Sequence, residues 1–163
     1  MSSAAAVLIA GLALVPAKAL AACPIELATY ATTQGNGELE FSPTRGAATV
    51  SNSFRVLLDD GIVLDGIVQW SNEAARPNGM LMHGCPEGDA TGDELEACTV
   101  WQGVIYTSDR QGTIALLPAQ GMEAPQTLIL PDLGPSLRWS SVFGAGAVST
   151  APWDVFALKG CQE

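Results

Sequence analysis

The sequence predicts an all-β fold: an antiparallel barrel or sandwich of about eight strands, with one or two short helical turns and two disulfides. Three observations carry that prediction. Glycine and proline recur so often, 17 and 10 times in 163 residues, that helices of ordinary length have almost nowhere to sit. The longest stretch free of both, residues 47–60, alternates between apolar and polar positions and does not repeat at helical spacing. Four cysteines, Cys23, Cys85, Cys98 and Cys161, occur without a Cys-x-x-Cys pair, and an even number so spaced reads as a disulfide framework.

The first element is not part of the fold. Within residues 1–21, Ala4 to Val15 form a nearly uninterrupted small-apolar run; the segment carries one charge, Lys18, and ends in Ala19-Leu20-Ala21, which fits the small-x-small cleavage rule of a secretory signal peptide. The run is shorter than the roughly 20 apolar residues of a spanning helix. Residues 22–163 then make a single β-rich domain, exported to the periplasm or beyond, with no transmembrane segment. Leu20-Ala21-Ala22-Cys23 also resembles a bacterial lipobox, which would place a lipid anchor on Cys23. Acylation would leave an odd number of thiols in an oxidising compartment, so cysteine parity favours soluble export. The expected disulfides are Cys85–Cys98, which closes a short loop, and Cys23–Cys161, which joins chain ends that commonly lie close together.

Strands follow in order. Residues 25–32 and 38–42 are short, rich in β-branched or aromatic residues, and bounded by turn formers. Within 47–60, Ala48, Val50, Asn52, Phe54, Val56 and Leu58 share one face of a half-buried strand. Asp59-Asp60-Gly61 then suits a three-residue hairpin loop with Gly61 left-handed. That register sets Leu58 against Ile62, Val56 against Leu64 and Arg55 against Asp65, joining apolar faces and opposite charges. Residues 80–83, 99–107, 113–117, 127–130 and 154–158 are the remaining strand candidates. Helical turns are expected at 93–97, where Thr91-Gly92-Asp93-Glu94 has a capping-box pattern, and at 132–139. Residues 144–149 read as a small-residue loop.

Charge narrows the partners. The formal net charge is −10, and the basic residues stand singly, so the chain lacks the Lys/Arg cluster that nucleic-acid binding requires. An acidic surface attracts a cationic protein partner. The acids concentrate between Cys85 and Cys98, in a loop that a disulfide would preorganise. The candidate contact residues are Asp89, Asp93, Glu94 and Glu96 of that loop, with Trp101 just beyond it.

Other chemistry has less support. Met80-Leu81-Met82-His83-Gly84-Cys85 offers soft ligands for copper, but two methionines sharing one strand face read as core, and Cys85 is used in a disulfide. Aligned from Glu87, a calcium loop would place Gly92 at the sharp turn but ends in Cys98 instead of glutamate. Neither a cofactor nor a resident metal is expected. Trp70, Trp101, Trp139 and Trp153 would make a carbohydrate-stacking platform if exposed; core is the weightier expectation for four tryptophans in a chain of this size. His83 is the lone histidine, and no Gly-x-Ser-x-Gly elbow accompanies it. The chain therefore reads as a binding module more than an enzyme. It is similar in kind to small periplasmic inhibitors of cationic hydrolases such as lysozyme, in its size, export, disulfides and β architecture. A small hydrolase or metal handler using His83 is the alternative from another class.

Overall fold

The hairpin of β3 (Val50–Leu57) and β4 (Val63–Ser71) forms in the register that the alternation predicts, with Val56 opposite Leu64 and Arg55 opposite Asp65. The Leu58 amide donates to the Ile62 carbonyl at 2.8 Å. Between them Asp59–Gly61 makes one 3-10 turn, and Gly61 takes a φ of +76°, which glycine adopts without steric cost. Asn52, Phe54, Val56 and Leu58 are all buried. The salt bridge of Arg55 runs to Glu40 on the neighbouring strand, at 3.8 Å, and not to Asp65 across the hairpin.

The structure, a computed structural model, describes residues 23–44, 49–71, 76–144 and 148–162. The predicted export segment 1–21 and residues 145–147 of the small-residue loop lie outside them. Eight further strands join the hairpin: β1 (Ala28–Thr32), β2 (Glu38–Ser42), β5 (Arg76–Met82), β6 (Thr99–Val104), β7 (Tyr106–Ser108), β8 (Ile114–Leu116), β9 (Thr127–Ile129) and β10 (Val155–Cys161). They form one antiparallel sheet in the order β6-β5-β4-β3-β2-β1-β10-β9-β7-β8, curled into a nearly closed barrel. Two short helices accompany it, α1 (Gly92–Cys98) and α2 (Leu133–Arg138), at the two predicted helical turns. No helix among the described residues is long and apolar enough to cross a membrane.

Ten strands replace the expected eight or so partly because 99–107 is two strands. The chain bends at Ile105, so that β6 pairs with β5 while β7 pairs with β8 and β9. Ile105 is buried against Gly79, where an added Cβ would lie 2.8 Å from its Cδ1. At the other end of the chain, 25–27 is a 3-10 turn, not strand, because the Leu27 amide turns back to the Pro24 carbonyl.

β5 departs furthest from expectation. It begins at Arg76, although Pro77-Asn78-Gly79 reads as a turn. Pro77 lies opposite Trp70 of β4, just past Asn78–Val104, the last pair between β5 and β6, so its missing N–H removes no bond from that ladder. Met80 and Met82, expected in the core, are only half-buried. Leu81 points inward instead, opposite Trp101 of β6.

Both disulfides form as expected. Cys23–Cys161 and Cys85–Cys98 have Cα–Cα separations of 5.7 and 5.2 Å. The core is centred on Tyr30, Phe41 and Phe54, whose rings follow one another at centroid distances of 6.0 and 5.6 Å. The Tyr30 hydroxyl donates to the Pro125 carbonyl, and burial pushes its pKa up.

Candidate functional site

The acidic loop becomes an ordered element. Thr91 is the N-cap of α1, and both halves of the capping box are made. The Glu94 amide donates to Thr91 Oγ1, while the Glu94 carboxylate accepts from the Thr91 amide and hydroxyl, each at 2.8 Å. At the other end Cys98, the last residue of α1, is fastened to Cys85. A seven-residue helix is too short to hold itself in water, so the cap and the disulfide are what fix it. Gly92 opens this helix and does not form the sharp turn of a calcium loop.

Asp89, Asp93, Glu94 and Glu96 are all exposed. Their roles differ. Glu94 is occupied in the cap, whereas Asp93 and Glu96 leave α1 toward solvent and Asp89 precedes it. Beside α1 runs a groove of about 460 Å³ lined by Met80, Gly92, Leu95, Glu96, Thr99 and Gln102. Met80, turned outward, and the partly exposed Leu95 supply the apolar part of this mixed lining beside Glu96.

The Thr91 amide, followed by its hydroxyl, holds the Glu94 carboxyl below its ordinary value of 4.5. A lowered pKa in the folded state favours folding when the group is ionised, and that contribution disappears as the pH falls through the lowered value. We expect α1 to loosen in acid below the ordinary glutamate range, and Glu94→Gln to loosen it already at neutral pH. Amide exchange at Thr91 and Leu95, followed against pH, checks both; protection unchanged across the range in the wild type would contradict them.

Trp101 does not join this surface. It is 3% exposed, and its indole N–H donates to the Pro131 carbonyl at 2.8 Å, tying β6 to the start of α2. It is a core residue because β6 directs it inward, opposite Leu81. His83 follows β5, with Nδ1 3.3 Å from the Val63 carbonyl. Among the described residues no three His, Cys, Asp or Glu side chains converge as metal ligands would.

The other tryptophans correct the expectation of core. Trp70, Trp139 and Trp153 are 47%, 93% and 52% exposed. Trp139 and Trp153 line one open groove of about 560 Å³ between α2 and the segment leading into β10. Asp154 builds its frame by accepting the amides of Asp132 and Gly134 at 2.9 and 3.0 Å, which locks the start of α2. Asp132 sits at a φ of +60°, a conformation that Asp tolerates better than most residues. Opposite, the Trp153 amide donates to the Gln34 carbonyl. No spacing pattern joins residues 139 and 153, and the groove exists only once α2 docks on the segment before β10.

Fold and surface together define a small disulfide-bonded, nearly closed β-barrel with open grooves on its surface. Comparison with family models, curated proteins and solved structures finds no match to this chain.

Proposed function

We propose that the protein is an exported, non-catalytic binding module that contacts a cationic protein through the acidic face of α1. Its most specific form is inhibition of a cationic envelope hydrolase such as lysozyme. One observation carries the reading: a short helix fixed at both ends presents Asp93 and Glu96 to solvent beside a groove that Met80 and Leu95 help to line. A fixed element loses little freedom on association, and its charges draw a basic partner before contact. The N-terminal apolar segment and the two disulfides support export to an oxidising compartment.

The test spares Glu94, because neutralising it would weaken the cap. Lysozyme should bind the wild-type protein with an affinity that falls as salt is added. Asp89→Asn, Asp93→Asn and Glu96→Gln together should weaken that binding at least about ten-fold and flatten its salt dependence. Calorimetric titration at two ionic strengths, alongside a lytic assay, reads both. Equal binding by the triple variant, or no binding by the wild type, overturns the reading.

A further inference from the structure

Trp139 projects almost wholly into water at the end of α2, and Trp153 is half-exposed on the same groove. Keeping two indole faces hydrated opposes the usual gain from burying them, and contiguous exposed apolar surface marks binding sites. We propose that this groove binds a saccharide chain carrying carboxylates, with Trp139 and Trp153 stacking on sugar rings and Arg138 pairing with a carboxylate.

Four features select that ligand. The volume of about 560 Å³ is that of a ligand site, and the groove is open, so it suits a segment of a chain more than an enclosed small molecule. Its walls combine flat apolar surface with the hydrogen-bonding side chains of Gln34 and Thr150. A pyranose ring has the matching shape, an apolar C–H face bounded by a hydroxyl edge. Among the described residues Arg138 is the one charged residue lining the groove, and it makes no salt bridge with any of them. Asp132 and Asp154 stand at the start of α2, with the Asp154 carboxylate engaged by two amides, and Arg138 is the cation that the groove's own lining offers to an anion.

The groove is also preorganised. Besides the Asp154 clamp, Gly134 lets α2 approach so closely that an added Cβ would lie 2.9 Å from the Pro152 carbonyl oxygen. A rigid frame fixes the backbone that carries the two tryptophans and Arg138 before the ligand arrives. The site shares no residue with the acidic face of α1, so either proposal can fail without the other.

The probe is a short oligogalacturonate, compared with a neutral galacto-oligosaccharide of equal length, and the readout is the four indole N–H signals in an NMR titration. Signals of Trp139 and Trp153 should shift saturably, with Trp70 and the internally bonded Trp101 as references. The neutral chain should bind about ten-fold more weakly, equivalent to about 1.4 kcal/mol. Arg138→Gln should remove that preference, and Trp139→Ala should weaken both chains about ten-fold. Because Trp139 is so exposed, its variant should unfold at the wild-type temperature, which separates loss of binding from loss of fold. The proposal is overturned if the uronate chain shifts neither indole, or if Arg138→Gln keeps the full preference for it. It is equally overturned if a proline-rich peptide shifts both indoles and the saccharides do not.

Discussion

Replacing Cys23 and Cys161 together by serine should destabilise the protein by about 5 kcal/mol, the effect expected in the chain-entropy account for a loop of well over a hundred residues. The two cysteines are separated by 138 positions, and the bond fastens the segment that leads into β1 to the end of β10, the neighbour of β1 in the sheet. Ala28 of β1 faces Cys161 of β10, and the Gln162 amide continues the contact to the Leu27 carbonyl at 2.7 Å. Without the bond, the chain must bring its two ends together by ladder hydrogen bonds and packing alone. Marginal stabilities run at about 5–15 kcal/mol, so the paired variant should be close to unfolding at growth temperature. Cys85→Ser with Cys98→Ser frees a loop with a separation of only 13, and should cost about 3 kcal/mol, felt first in α1. Urea unfolding without reductant ranks the two pairs; equal midpoints would show that loop length is not what matters here.

Phe54→Ala should cost about 3–5 kcal/mol, as large aromatic truncations in packed cores do. Phe54 is buried between Phe41, at a centroid distance of 5.6 Å, and the backbone of β4 at Gly66. A Cβ on residue 66 would lie 2.6 Å from the Phe54 ring, so the absence of a side chain there is what admits the aromatic. Gly66→Ala alone should therefore cost about 1–3 kcal/mol through overpacking. Combined with Phe54→Leu, the same substitution should cost less than the sum of the two, because the smaller side chain vacates the space. A double-mutant cycle in urea measures that coupling, and strict additivity would contradict it.

Much of this barrel is legible in its sequence where the signal is local. The β3–β4 register follows from alternation plus one left-handed glycine, and the α1 cap follows from four consecutive residues. The cysteine pairing follows from loop length and parity. What escapes is set by neighbours distant in the chain. Pro77 is tolerated because β6 stops one residue short of it, and Leu81 displaces Met80 and Met82 from the core because of where Trp101 lies on β6. The paired tryptophans are hidden for the same reason. Nothing in residues 139 and 153 taken separately says that an Asp154 carboxylate will hold α2 beside them. Glu94 shows the converse: its capping pattern was readable, and it marks the residue as part of the scaffold as well as of an acidic face.

Ile105 alone separates β6 from β7, and one residue spans at most about 3.6 Å. Yet β6 stands first in the sheet and β7 next to last. The chain itself therefore ties β6, at one margin, to β7, the neighbour of β8 at the other. An open β-sheet leaves two unpaired margins that can recruit strands from other molecules. Here the hinge at Ile105 and the Trp101 indole on the Pro131 carbonyl hold the β6 margin beside β7 and the end of β9, while β8 stays outermost at the other margin. The connectivity thus fixes where the barrel closes, and it leaves β8 as the strand whose outer edge another chain would meet.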